Sequence, residues 1–116
     1  MNRIMFFYGT LKRGCRLNYY LSKKSSFISN HLLSRYKMYN YVDWDYPVIY
    51  YSGDYKDRVY GEIWRVCNND YLKIGSLEIG AGYREICREG LIFYVKDKVV
   101  VEKERKIIDM IPITIY

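Results

Sequence analysis

Apolar residues run without a polar break from Ile4 to Tyr8 and stop at Gly9, which predicts a buried strand over Arg3–Tyr8. Leu17, Tyr20 and Leu21 then fall on one side of a short helix. From there strand patterns dominate, over Phe27–Leu33, Arg35–Val42, Pro47–Tyr51, Val59–Val66, Tyr83–Glu89 and Leu91–Val95, with weaker patterns at Val99–Glu102 and Ile107–Tyr116. One interruption is helical. After Asn68-Asn69-Asp70, which reads as a cap, Tyr71, Ile74 and Glu78 share a stripe at i, i+3 and i+7, and Gly80 and Gly82 end it. The order predicts an α+β fold: a small, curled, mostly antiparallel sheet or barrel with one short helix after the first strand and one late helix.

At 116 residues, this pattern fills one domain, 1–116, with no linker and no internal repeat. Fifteen tyrosines supply apolar bodies with polar tips, which suit sheet surfaces and pocket walls better than deep core. The net charge of +6 comes from cations scattered from Arg3 to Lys106 in blocks no longer than a pair. That argues against a polybasic arm and leaves only a general pull on anions. Cys15, Cys67 and Cys87 are odd in number and far apart, so they form neither a disulfide framework nor a zinc spacing. Reduced thiols, a cytoplasmic location and no membrane span are the expectation.

Chemistry concentrates at two places. In Tyr8-Gly9-Thr10-Leu11-Lys12-Arg13-Gly14 a strand gives way to a glycine turn, a hydroxyl and two cations, a sequence suited to turning backbone amides toward an anion. On the late helix, the apolar stripe turns Glu78 inward, and a carboxylate among apolar side chains has its proton affinity raised toward neutrality. Other candidates are weaker. His31 is the single histidine and reads as a strand residue, and no Cys or acid is spaced to build a metal site with it. Cys15 has no base beside it, and Asp43 and Asp45 read as turn acids. No metal or cofactor is expected.

Tyr8-Gly9-Thr10-Leu11-Lys12-Arg13-Gly14, Tyr46-Pro47-Val48-Ile49, Tyr60-Gly61-Glu62-Ile63-Trp64-Arg65-Val66 and Ile74-Gly75-Ser76-Leu77-Glu78, followed by Gly82-Tyr83-Arg84, resemble in order and spacing the γ-glutamylcyclotransferase-like superfamily. The small branch of γ-glutamylamine cyclotransferases and AIG2-like proteins is the most similar, and Leu77 to Arg84 resembles a segment of small archaeal members. The resemblance runs from about residue 3 to 95 and implies a small barrel-like α+β fold that converts a γ-glutamyl amide to 5-oxoproline and a free amine. It implies Glu78 as the catalytic acid–base residue, with Tyr8, Gly9, Thr10 and Leu11 holding the γ-glutamyl group. Tyr83 joins them as a substrate-binding residue. The partner so implied is a small γ-glutamyl molecule.

Gly75 and Ser76 stand where the family often carries acids, which leaves the amine half of the substrate open. Residues 96–116 form an extension of unassigned role whose apolar Ile107–Tyr116 tail packs on its own sheet or forms a homodimer. Two rival functions differ in class. One is a catalytically silent module binding carboxylates through the same loop; the other is a basic, tyrosine-rich nucleic-acid binder, against which the scattered charge argues.

Overall fold

The apolar opening of the chain becomes the middle of a sheet. A computed structural model describes residues 2–9, 11–14, 18–40 and 47–96. Strand β1 (Arg3–Phe7) pairs antiparallel along its whole length with β5 (Arg58–Val66), from Arg3 opposite Val66 to Phe7 opposite Glu62. On its other side it meets β7 (Leu91–Val95) in parallel, with Met5 opposite Ile92. β2 (Ser26–Ser34) and β6 (Arg84–Arg88) complete a five-stranded sheet in the order β2-β5-β1-β7-β6. β3 (Tyr36–Asn40) and β4 (Pro47–Tyr51) form a separate antiparallel pair.

A central strand with both faces covered needs an unbroken apolar run, because successive side chains point to opposite sides. Met5 and Phe7 enter one cluster with Trp64, Val66, Tyr94 and Ile74, the last from helix α1 (Asn68–Gly80). Phe6 enters the other with Leu33, Val59, Phe93 and, from the β3–β4 pair, Tyr36, Met38 and Ile49. Burying side chains of this size contributes roughly 1.5–3 kcal/mol each. β4 serves both clusters, Ile49 in one and Val48 and Tyr50 in the other, so the small pair closes the curl of the large sheet. A bond from the Lys96 amide to the Ile49 carbonyl, at 3.2 Å, ties the end of β7 to it.

The α+β architecture and seven of the expected strands are present, and two local expectations are corrected. The short helix after β1 is a single 3-10 turn, Asn18–Tyr20, closed by the Leu21 amide on the Asn18 carbonyl; so few residues gain too little to nucleate an α-helix. Asn68-Asn69-Asp70 does not cap α1. The N-cap is Cys67, without a side-chain bond, and Asp70 lies buried in the first turn. There it accepts from the Ser22 amide and hydroxyl and, at 2.7 Å, from the Ser25 hydroxyl. The mostly antiparallel sheet also contains one parallel pairing, β1 with β7.

Thr10, Cys15, Leu17, Asp43, Asp45, the weaker strand patterns after residue 96 and the apolar tail lie outside the described residues. Among the described residues, no helix is long and apolar enough to cross a membrane, and no cluster of metal-binding side chains occurs.

Candidate active site

Four elements converge at one end of the sheet: the end of β1, the loop after it, the C-terminal half of α1, and β7. Tyr8, the first residue past β1, is buried, and its hydroxyl donates to the Tyr94 carbonyl of β7 at 2.7 Å. Burial raises its pKa well above the ordinary phenol value. The charge of Glu78 adds to that rise, while the Ile49 backbone amide opposes it. Tyr8 is therefore a neutral phenol whose proton is committed to the backbone.

Glu78 stands one turn after Ile74, whose complete burial fixes which face of α1 looks inward. Its side chain is half-buried, and removal from water pushes its pKa up to about 7. The carboxylate's charge acts on both Tyr8 and, more weakly, Tyr94. Its backbone carbonyl receives the Tyr83 amide at 3.0 Å, a bond that ends the helix and is allowed by the left-handed conformation of Gly82, φ +93°. Tyr83 is thereby drawn back beneath the helix end. It is buried in the same cluster as Leu11, Ile74 and Tyr94, with the Lys96 ammonium 5.4 Å from its ring centroid.

The loop after β1 is fixed by residues whose role the sequence motifs do not reveal. Glu62 of β5, only 4% exposed, accepts from the Arg13 amide at 2.9 Å and the Trp64 indole at 3.0 Å, and forms an ion pair with the Arg13 guanidinium at 3.0 Å. The Arg13 guanidinium also stacks 3.5 Å over the Phe27 ring. Arg13 is thus part of the scaffold rather than a cation offered to a ligand. Asn18 of the 3-10 turn donates to the Leu11 carbonyl at 2.7 Å, and the Lys12 amide closes a turn on the Gly9 carbonyl. A signal for Glu62 does exist in the sequence: a carboxylate at an inward position of a strand, two residues from a tryptophan.

Tyr94 is held in turn from the helix side. Its hydroxyl and that of Tyr71 both donate to Glu85 of β6, at 3.2 and 2.8 Å. Gly75 makes the approach to α1 close, since a Cβ there would lie 3.3 Å from the Tyr94 hydroxyl. A residue that departs from the family's common acid is therefore the one that lets Tyr94 pack against the helix.

Of the expected site residues, Leu11 and Tyr83 pack in one cluster and Tyr8 in the other, while the charge of Glu78 acts on Tyr8; Gly9 lies in the loop between Tyr8 and Leu11. Thr10 lies outside the described residues. His31 is a strand residue facing Gly61 across β2 and β5, its ring edge-on to Phe6 at 5.8 Å.

A family model described as "Gamma-glutamyl cyclotransferase, AIG2-like" matches residues 5–115. The chain belongs to this family. The match continues through residues 96–115, which the sequence motifs leave unassigned. Solved structures of this γ-glutamyl cyclotransferase-like fold superpose closely. PH0828 from Pyrococcus horikoshii, an uncharacterized protein, has a TM-score of 0.64 at 24% identity, covering 82% of this chain and 76% of that one. The protein c4763, described as specific to uropathogenic E. coli, has a TM-score of 0.72 at 18% identity, with 88% and 84% covered. The ytfP protein of Escherichia coli has a TM-score of 0.63 at 20% identity, with 80% and 81% covered. At these identities the likeness is one of fold. No curated protein matches the chain.

Proposed function

We propose that this protein is a γ-glutamyl cyclotransferase, releasing 5-oxoproline and a free amine from a small γ-glutamyl amide, with Glu78 as its acid–base residue. The observation that carries the reading is the half-buried Glu78 carboxylate, whose proton affinity lies near neutrality beside the family's loop. The substrate's α-amine arrives as an inert ammonium. Glu78 takes one proton from it, the amine nitrogen attacks the γ-carbonyl carbon, and collapse of the tetrahedral intermediate breaks the amide C–N bond as Glu78 returns the proton to the leaving nitrogen. No water is consumed and no covalent enzyme intermediate forms. Since nucleophile and electrophile belong to one molecule, holding it folded supplies much of the rate, with effective molarities on the order of 10^5 M or more for well-oriented groups.

In this reading the loop Tyr8-Gly9-Thr10-Leu11 holds the γ-glutamyl group, its backbone amides facing the carboxylate and the developing oxyanion, and Tyr83 closes the other side. Tyr8 contributes shape rather than a proton, since its hydroxyl hydrogen is spent on the Tyr94 carbonyl. The test is mass-spectrometric detection of 5-oxoproline after incubation with a panel of γ-glutamyl amides. Parent protein should release it and Glu78→Gln should lose at least 10^2-fold in rate, the usual worth of a positioned acid–base group. Tight binding of γ-glutamyl ligands without 5-oxoproline from any of them would replace catalysis by a carboxylate-binding role.

A further inference from the structure

Glu62 takes no step in the chemistry above, yet the loop assigned to the γ-glutamyl group begins and ends on it. Phe7, the last residue of β1, is the register partner of Glu62 in the β1–β5 pairing, so the chain leaves the sheet at Tyr8 from beside this residue. It returns at Arg13, whose amide donates to Glu62 Oε1 at 2.9 Å and whose guanidinium Nε donates to Oε2 at 3.0 Å. The stretch from Tyr8 to Lys12 is thus closed at both ends on a single residue. That residue is itself held, since Glu62 is buried on β5 and Oε1 also accepts from the Trp64 indole at 3.0 Å.

The two carboxylate oxygens hold different groups. Oε1 takes a backbone amide and an indole, and neither bond depends on which side chain stands at position 13. Oε2 takes the guanidinium, which is half-exposed and lies 3.5 Å from the centroid of the Phe27 ring. Phe27 faces Trp64 across β2 and β5, with the two rings edge-on at 6.1 Å, so the guanidinium rests on a built platform. Its charge meets that of Glu62, and no uncompensated negative charge is left beside a loop that is to receive an anion. Within the loop, the turn from the Lys12 amide to the Gly9 carbonyl and the bond from Asn18 to the Leu11 carbonyl set the local shape. Glu62 fixes where that shape stands on the sheet.

We infer that Glu62 is a positioning residue for the proposed reaction: through the Arg13 amide it holds the loop, before substrate arrives, in the arrangement whose amides receive the substrate's carboxylate. The inference rests on the cyclotransferase reading. Glu62 acts through Arg13 rather than on the reacting atoms, and the proton transfers stay with Glu78. A loop freed at its return must be ordered again by the ligand, and ordering even one residue of backbone weakens affinity about tenfold. The cost therefore falls on binding.

The test compares Glu62→Gln and Glu62→Ala with the parent, by kcat and KM for 5-oxoproline release from γ-glutamyl-propylamide and by melting temperature. Glutamine keeps an oxygen at the place of Oε1 and loses the ion pair, whereas alanine loses every bond. The expected KM lies within about threefold of the parent in Glu62→Gln and about tenfold above it in Glu62→Ala, with kcat changed by less than about threefold in both. The pH midpoint near 7 stays in place, because Glu78 is untouched. Partial unfolding gives a different pattern, lowering the active fraction and so kcat while KM holds. That pattern, or a KM that rises as far in Glu62→Gln as in Glu62→Ala, overturns the inference and leaves the cyclotransferase reading standing. Where Glu62→Ala does not fold, Glu62→Asp keeps the charge but draws the oxygens back from the Arg13 amide, and the same rise in KM is expected. If the parent releases 5-oxoproline from no amide, the Kd of γ-glutamyl-propylamide takes the place of KM. A Kd about tenfold weaker in Glu62→Ala and near the parent's in Glu62→Gln still assigns the positioning role, while an unchanged Kd, or no binding by the parent, overturns it.

Discussion

At the scale of one residue, the ionisation of Glu78 sets both the working pH of the proposed reaction and a local weakness of the fold. The base must be unprotonated in the free protein, so kcat/KM should rise with pH and level off, with a midpoint near 7. Stability runs the other way. An unfolded glutamate releases its proton near its ordinary pKa of 4.5, while the folded one holds it to about 7. The stabilisation relative to the unfolded chain is thus full below pH 4.5 and is lost as pH rises through 7. Glu78→Gln removes the dependence, and at pH 8 it should be more stable than the parent by up to about 3 kcal/mol, measured by urea denaturation at pH 5 and 8. A difference that does not grow with pH contradicts the burial of this carboxylate. Glu78 was legible in sequence because helical spacing alone places it beside Ile74. Glu62 was legible only as an inward carboxylate two residues from Trp64; its bonds to Arg13 depend on how the loop after β1 folds back onto β5, which period and composition do not encode.

At the scale of elements, α1 is held to the rest of the molecule at its start by polar contacts across long sequence separations. Asp70 anchors its start. Burial alone would raise its pKa, but hydrogen bonds from Ser25 and Ser22 outweigh that and hold the carboxyl below its ordinary value. Asp70→Ala leaves the Ser22 amide and two hydroxyls without their acceptor. It should cost about 2–3 kcal/mol and shift the whole unfolding curve, while Ser25→Ala should cost about 1 kcal/mol. Acid should weaken this anchor, because the contribution is lost as pH falls through the depressed pKa. The boundaries of α1 and of most strands followed from periodicity and glycine signals. The misreading of Asn68-Asn69-Asp70 as a cap has a simple cause: the same residue types serve a cap and a buried bridge, and Ser22 and Ser25 decide between them from a distant loop.

At the scale of the whole molecule, β1 and β5 run side by side at the middle of the fold, and Gly61 lets them approach closely just past the end of their pairing. A Cβ there would press on the Phe7 carbonyl oxygen and come within 2.6 Å of the Phe6 ring. Gly61→Ala must therefore push β1 away from β5, and a loss on the order of 3 kcal/mol in global stability is expected by chemical denaturation, with 5-oxoproline release falling in proportion to the folded fraction. These paired strands and the curl of the sheet could be read from sequence; which residues of β4 meet which cluster could not. The parallel contact of Met5 with Ile92 has a further consequence. The second strand neighbour of β1 is synthesised some ninety residues later, so during translation Phe6 and Phe7 wait with one edge open until β7 has emerged. An apolar segment made at the start of synthesis thus waits for one made near its end, and nascent chains paused before β7 should be the form of this protein that most needs a chaperone.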